Sequence, residues 1–262
     1  MNKITVSNVT EYVNYIESIQ ELTDLWFRGV SNFNYKPQPG LIWQNLREHE
    51  ATFEHRFLVS YQSYFEKPNL APWETYALMQ HHGIPTRLLD WSESALVALF
   101  FALASEPNST EYSMVWVLNP FRFNEKVHGK PRLYCPATMH RTEITSNNEQ
   151  LDINSYLSPN LKPNHLYGVM PSKPIAINAT QHIKRVSSQK GCFTVHGTAE
   201  NSIDTYMGED DFFHEIKIDA RTAEKRLNML AMLAKLGIDE EFIYQDLDSL
   251  CKRIKRQMGI SL

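Results

Sequence analysis

Gln80-His81-His82-Gly83-Ile84-Pro85-Thr86-Arg87-Leu88-Leu89-Asp90-Trp91 changes its structural period halfway along. Upstream of Gly83, residues 73–81 carry helix formers after the breaker Pro72. Gly83 and Pro85 are then helix stop signals. Residues 86–91 read as a short extended segment. Ser92 follows as a candidate N-cap, and residues 93–105 are apolar on every side. A helix of that kind is expected to be buried on several sides. The run therefore predicts helix, tight turn, strand and buried helix in succession.

Working toward the N-terminus, residues 25–28 predict a short strand ending at Gly29. Residues 31–45, with Pro37, Pro39 and Gly40, predict a loop. Ser7 is a candidate cap for a first helix, with Val9, Tyr12, Val13, Ile16 and Ile19 at helical spacing. Residues 48–65 predict a second amphipathic helix, whose stripe is Phe53, Phe57, Tyr61 and Phe65. Toward the C-terminus, residues 113–118 predict a core strand. Residues 120–170 are rich in Asn, Pro, Ser and His and predict a long irregular insertion. Strands are expected at 175–177, 192–196 and 211–218. In the last of these Phe212, His214, Ile216 and Ile218 point one way, with Phe213, Glu215 and Lys217 opposite. A helix over 222–236 stops at Gly237, and a basic helix follows near 246–257. These elements predict a fold of mixed α and β structure.

The chain has 262 residues, 42% hydrophobic and 21% charged, which suits one large domain or two small ones. Its net charge of −4 argues against a grip on long duplex backbone while leaving room for a local basic groove. Cys135, Cys192 and Cys251 lie far apart and form no CxxC pair, the pattern of a reducing compartment rather than a disulfide framework. Residues 1–6 carry no signal-peptide run, and no stretch reaches the ~20 apolar residues that span a bilayer. The expectation is a cytoplasmic protein without membrane contact.

Arg28 stands at a strand end beside glycine. Either it is a salt-bridged surface arginine, or its planar fork clamps a phosphate or carboxylate where Gly29 lets a ligand reach the backbone. His81 and His82 are adjacent, so they diverge on a regular element and do not suit a shared metal; no metal site is expected. His82 is a candidate general acid or base. Asp90 either pairs with Arg87 to hold the turn or lines a pocket with Ser92. Gln189 precedes Gly191 and a strand, near Lys184, Arg185 and Lys190. Glu215 is either an exposed carboxylate beside Lys217 or a group that meets a ribose hydroxyl or a developing cation. The acids Glu209, Asp210 and Asp211 are adjacent, the usual mark of a solvated loop. The chain has no P-loop, GxGxxG, GxSxG or HExxH motif, which turns the reading away from the chemistries those motifs carry.

Trp26-Phe27-Arg28-Gly29 and the run from Gln80 to Trp91 resemble the FRG domain family, and Gln189-Lys190-Gly191-Cys192-Phe193-Thr194-Val195-His196 looks like its third block. The likeness extends over about 25–250, which implies a single FRG domain spanning 1–262 with the insertion at 120–170. FRG domains are often found in bacterial defence or toxin settings. The chain also resembles ADP-ribosyltransferases, in the order of an Arg-Gly strand, a Ser element before an apolar helix and a late-strand Glu. That resemblance implies an α+β fold with a split, mostly antiparallel β core flanked by helices, and NAD as substrate. Arg28, Glu215 and His82 would be catalytic, and Arg28, Gly29, Ser92, Asp90 and Gln189 would bind the cofactor. It further implies an RNA or protein acceptor from the translation machinery and an antitoxin partner. The chain departs from the transferase pattern in lacking a Ser-Thr-Ser strand and a Glu-x-Glu or Gln-x-Glu turn. A nuclease or a non-catalytic nucleotide-sensing module is the alternative.

Overall fold

The computed structural model describes residues 2–20, 25–64, 70–136, 143–144, 150–162, 169–178, 189–208 and 212–258. Seven strands form one sheet: β1 (Asn2–Val6), β2 (Trp26–Val30), β3 (Leu88–Ser92), β4 (Ser113–Leu118), β7 (Ile175–Ile177), β8 (Gly191–Val195) and β9 (Phe213–Ile218). A separate hairpin pairs β5 (Glu143–Ile144) with β6 (Gln150–Leu151). The sheet order is β1-β9-β4-β2-β3-β8-β7, and its strand pairs are antiparallel except β1 with β9. The fold is thus α+β, a mostly antiparallel sheet flanked by helices.

Two consecutive blocks of this sheet are well knit, β1-β9-β4-β2 and β3-β8-β7. The junction between them is not. β2 and β3 share one register pair, Phe27 with Ser92, whereas β2 pairs with β4 through five residues and β3 with β8 through five. The strands part beyond that single bridge and leave a seam in the middle of the sheet.

Alternation along the strands sorts the core into faces. On one side α1 (Val9–Ser18), α5 (Ala95–Ala104), α8 (Ala223–Lys235) and α9 (Glu240–Tyr244) cover Phe27, Val115, Val117, Ile216 and Ile218. On the other, α6 (Pro120–His128) and α7 (Ile203–Met207) cover Trp26, Trp116, Leu118 and Phe213. A third cluster joins α4 (Pro72–His81) to β7, β8 and the segment containing Leu151 and Tyr156.

The helix α5 is buried on several sides, as its composition predicts. Its N-cap is Ser94, whose hydroxyl accepts from Val97 N; Ser92 instead ends β3. Tyr12 donates its hydroxyl to the carbonyl of Ala95 at one end of α5, and Arg226 donates to that of Leu103 at the other. Between them α5 lies almost on the backbone of β2. A Cβ on Gly29 would come within 1.8 Å of Ala98 O and 2.7 Å of Ala102 N. The strand therefore runs through Gly29 rather than ending there, because the helix demands that position be bare.

Other boundaries moved for physical reasons. Asn8 caps α1, with Glu11 closing the box onto the Ser7 amide. The helix expected over 48–65 is α3 (Glu50–Ser60), with a 3₁₀ turn at each end, and its buried residue is Glu54. The aromatic stripe instead lines a surface groove, where Phe57 stacks on Tyr61; Phe65 lies outside the described residues. The expected insertion opens with α6, capped by Asn119 and anchored by Phe123 and Val127. Tyr134, Ile153 and Tyr156 are core residues, so this stretch contributes to packing. The elements α2 (Gly40–Trp43), α9 and β1 had no marked sequence signal, while α10 (Leu247–Gln257) lies where the basic helix is expected.

Arg87 is the buried hub of the third cluster. Its Nε donates to Glu50 Oε1 at 2.7 Å, its Nη1 to the His196 carbonyl at 2.9 Å, and its amide to the Tyr76 hydroxyl at 2.8 Å. One residue thus ties α3, α4 and the end of β8 together. Glu54 lies beside it. Burial pushes the Glu54 carboxyl up to about 7, helped by the neighbouring Glu50, against the hydrogen bonds from Ser158 and Asn160 and the charge of Arg87.

Two outcomes follow from this packing. Gly29→Ala forces α5 away from β2 and is expected to cost about 3 kcal/mol or more, or to prevent folding, in urea denaturation. Glu54 holds its proton in the folded chain up to about pH 7, while an unfolded glutamate releases it near 4.5. The folded state therefore binds the extra proton, and stability falls as pH rises from about 4.5 to 7, then levels. Glu54→Gln should flatten that segment and raise stability at pH 8 by on the order of 1–2 kcal/mol after solvent screening. A slope unchanged by the substitution would remove Glu54 from the linkage.

Candidate functional site

The seam between β2 and β3 opens into a cleft of ≈ 290 Å³ on the α4–α5 side of the sheet. Phe27, Arg28 and Gly29 come from β2, Asp90 and Ser92 from β3, Gln80 and His81 from α4, Phe101 from α5, and Gln189 and Phe193 from the β8 side. Both motif blocks of the sequence meet here because α4, β3 and α5 are consecutive and wrap around the strand that carries Arg28.

Arg28 crosses the seam. Its Nη1 donates to the Asp90 carbonyl at 2.8 Å, standing in for a ladder hydrogen bond that β2 and β3 do not make. Its Nε is buried without an acceptor among the described residues. Burial lowers the pKa of the guanidinium, and the charge of Asp90 pulls it back. A desolvated cation with a donor to spare, at the wall of a cleft, is matched to an anionic or strongly accepting group.

The Asp90 carboxylate accepts from Gln80 Nε2 at 2.7 Å, and Gln80 Oε1 accepts from the Thr86 hydroxyl at 2.7 Å. This chain of contacts fixes the strand entry and aims Asp90. Asp90 does not pair with Arg87, whose carboxylate partner is Glu50. Ser92 is committed within the protein: its hydroxyl donates to the Gln189 carbonyl at 2.6 Å and accepts from the Ser94 amide at 3.0 Å. It thereby staples the residue-189 wall to the start of α5. Gln189 Nε2 in turn donates to the Ile243 carbonyl at 3.0 Å, at the end of α9. Gly29 lines the cleft too, although its missing side chain is required by α5.

Arg28, Gly29, Asp90, Ser92 and Gln189 are therefore brought together. His82 and Glu215 are placed elsewhere. His82 lies past the last turn of α4 and lines the aromatic groove beside Phe57 and Tyr61. Glu215 is on β9, 8% exposed, with its carboxylate 3.1 Å from Lys3 Nζ. The register row runs Arg28–Trp116–Glu215, so two strand spacings, about 10 Å, separate their backbones, with Trp116 between. The acids Glu209, Asp210 and Asp211 and the cations Lys184 and Arg185 lie outside the described residues. No cluster of three metal-ligating side chains occurs among the described residues, and no described helix is long and apolar enough to cross a membrane.

Sequence reasoning singled out His82 but not Gln80, His81, Phe101 or Phe193. A usable signal was present in helical phase. Ala77, Gln80 and His81 stand at i, i+3 and i+4 on α4 and share one face, whereas His82 follows the helix at the Gly83 turn, where φ is 82°.

No curated protein and no solved structure matches the chain. A family model, FRG domain, matches residues 23–111, a span that contains both motif blocks and excludes the third block at 189–196. The stretch similar to the FRG domain, residues 23–111, is the one whose β2, α4, β3 and α5 form most of the cleft and present Arg28 to it.

Proposed function

We propose that the cleft binds the nicotinamide half of NAD and that the chain is an ADP-ribosyltransferase acting on a macromolecule. The observation that carries this reading is the half-buried Arg28, held in the seam by one backbone carbonyl and with a buried Nε that has no partner among the described residues. A volume of ≈ 290 Å³ is at the low end of the ~300–1,000 Å³ usual for ligand pockets. It accommodates a base and ribose and leaves the adenylate half outside. Arg28 then meets the adjacent phosphate or ribose oxygens, and Phe101 and Phe193 offer apolar surface to the planar ring.

In the transfer, the bond between ribose C1′ and the nicotinamide nitrogen breaks and neutral nicotinamide leaves. An acceptor oxygen or nitrogen attacks C1′ and gives up its proton. Positive charge develops on the ribose meanwhile, and a fixed carboxylate beside it lowers the barrier. Asp90 is the carboxylate that lines the cleft, so we assign it the role that sequence order suggested for Glu215. A nucleotide-sensing module without turnover is the second reading. It is favoured by Glu215 standing two strands away in an ion pair with Lys3.

The test is incubation of the chain with NAD and cell lysate, measuring binding, nicotinamide release and label on macromolecules. Arg28→Ala should weaken NAD binding about tenfold or more, a loss of about 1.4 kcal/mol or greater. Asp90→Asn should lower turnover far more than affinity, since it removes charge and keeps an acceptor. Binding without nicotinamide release selects the sensing reading. A folded chain that does not bind NAD overturns both readings for this ligand.

A further inference from the structure

The C-terminal helix α10 is mounted with its polar side inward. At 3.6 residues per turn, Leu247, Cys251, Ile254 and Met258 fall on one stripe. Leu247 is 77% exposed, Ile254 47% and Met258 73%, while Ser249 on the opposite side is 3% exposed. The polar side is held to α9 and its cap by ion pairs: Arg253 with Glu241, and Arg256 with Asp239 and Glu240. An amphipathic helix ordinarily buries its apolar stripe and leaves its charges to water. Here the charges fasten it and the stripe is presented to solvent. Leu250 and Phe242 carry the apolar surface on into a groove beside the helix.

The spacing along the stripe is four, three, four, which is the alternation of a two-helix seam. Asp248 and Lys255 are seven residues apart, so they occupy the same flank of that seam. Two such helices laid antiparallel bring Asp248 of one beside Lys255 of the other, twice by symmetry. In a parallel pair the two copies of this flank lie on opposite sides of the seam, so Asp248 and Lys255 would not meet. We infer that α10 is a self-association surface, on which a second copy of this chain docks its own α10 antiparallel, apolar stripe to apolar stripe. The interface is isologous, as a two-fold axis requires. A seam of three turns with the Phe242 groove beside it is at the small end of specific interfaces, so the dimer forms in the micromolar range.

Sedimentation equilibrium of the full chain tests this. The mass should rise from monomer to dimer as concentration passes through the micromolar range. Ile254→Glu, on an exposed position, should keep the circular dichroism spectrum and melting temperature and give monomer throughout. Asp248→Lys and Lys255→Asp should each weaken the dimer severalfold, and the double swap should restore it. A short bismaleimide should join two chains through Cys251, and Cys251→Ser should abolish the product. A wild-type chain that stays monomeric at all concentrations overturns the inference. So does a dimer indifferent to Ile254→Glu, and a double swap no better than the single changes overturns the antiparallel pairing.

Discussion

The close approach of α5 to β2 at Gly29 governs much of what surrounds it. With Ala98 O where a Cβ would stand, the helix sits lower on the sheet than ordinary helix–sheet packing allows. Ser94 starts it directly after β3, so β3 must run beside β2 at a spacing fixed by the helix beneath. The strands touch at Phe27 and Ser92 and then separate. The opening that follows is where Arg28 lies. The glycine of the motif therefore acts on the cleft through packing: it seats the helix that forms the floor, and the arginine before it fills the seam.

Two arginines of the motif blocks divide the labour. Arg87 is wholly enclosed and donates Nε to Glu50 and Nη1 to the His196 carbonyl, holding α3 and the end of β8 against α4, while its buried Nη2 faces the core without a partner among the described residues. Removing it would leave Glu50 with an unmatched charge beside Glu54, a costly state in a buried site. Arg28 is tied by one bond to a carbonyl and retains capacity. Two equally charged residues in one domain are thus told apart by their partners, one serving the fold and the other the cleft.

Much of the fold was legible because it rests on local rules. The apolar run of α5, the continuous core strand β4, the alternation in β9, and the Gly83 and Gly237 stops each follow from side-chain pattern or backbone freedom. What the sequence did not disclose depends on distant partners. β1 has meaning only as a parallel edge to β9, and the inward side of α3 is decided by the polar group Glu54 meeting Ser158, against the pull of its aromatic stripe. The cleft was legible in part for the same reason. Arg28, Asp90 and Ser92 sit at junctions that the pattern marks, whereas the distance from Arg28 to Glu215 is set by the insertion of β4 between their strands, a fact of topology that chain order does not contain.

The single bridge between β2 and β3 also has a mechanical meaning. A sheet resists shear through its ladders, and this one has a full ladder on either side of a nearly unladdered line. The four-strand and three-strand blocks are joined by one bridge, one arginine and the helix α5 on one face, and on the other by the cluster in which Trp26 and Trp116 pack with Trp91 and Cys192 beside α6. The softest deformation of such an assembly is a sliding or scissoring of the blocks about α5, and the dimension that changes most along it is the width of the cleft. A molecule gripped by Arg28 on one block and Asp90 on the other would act as the missing rungs, turning the two blocks into one.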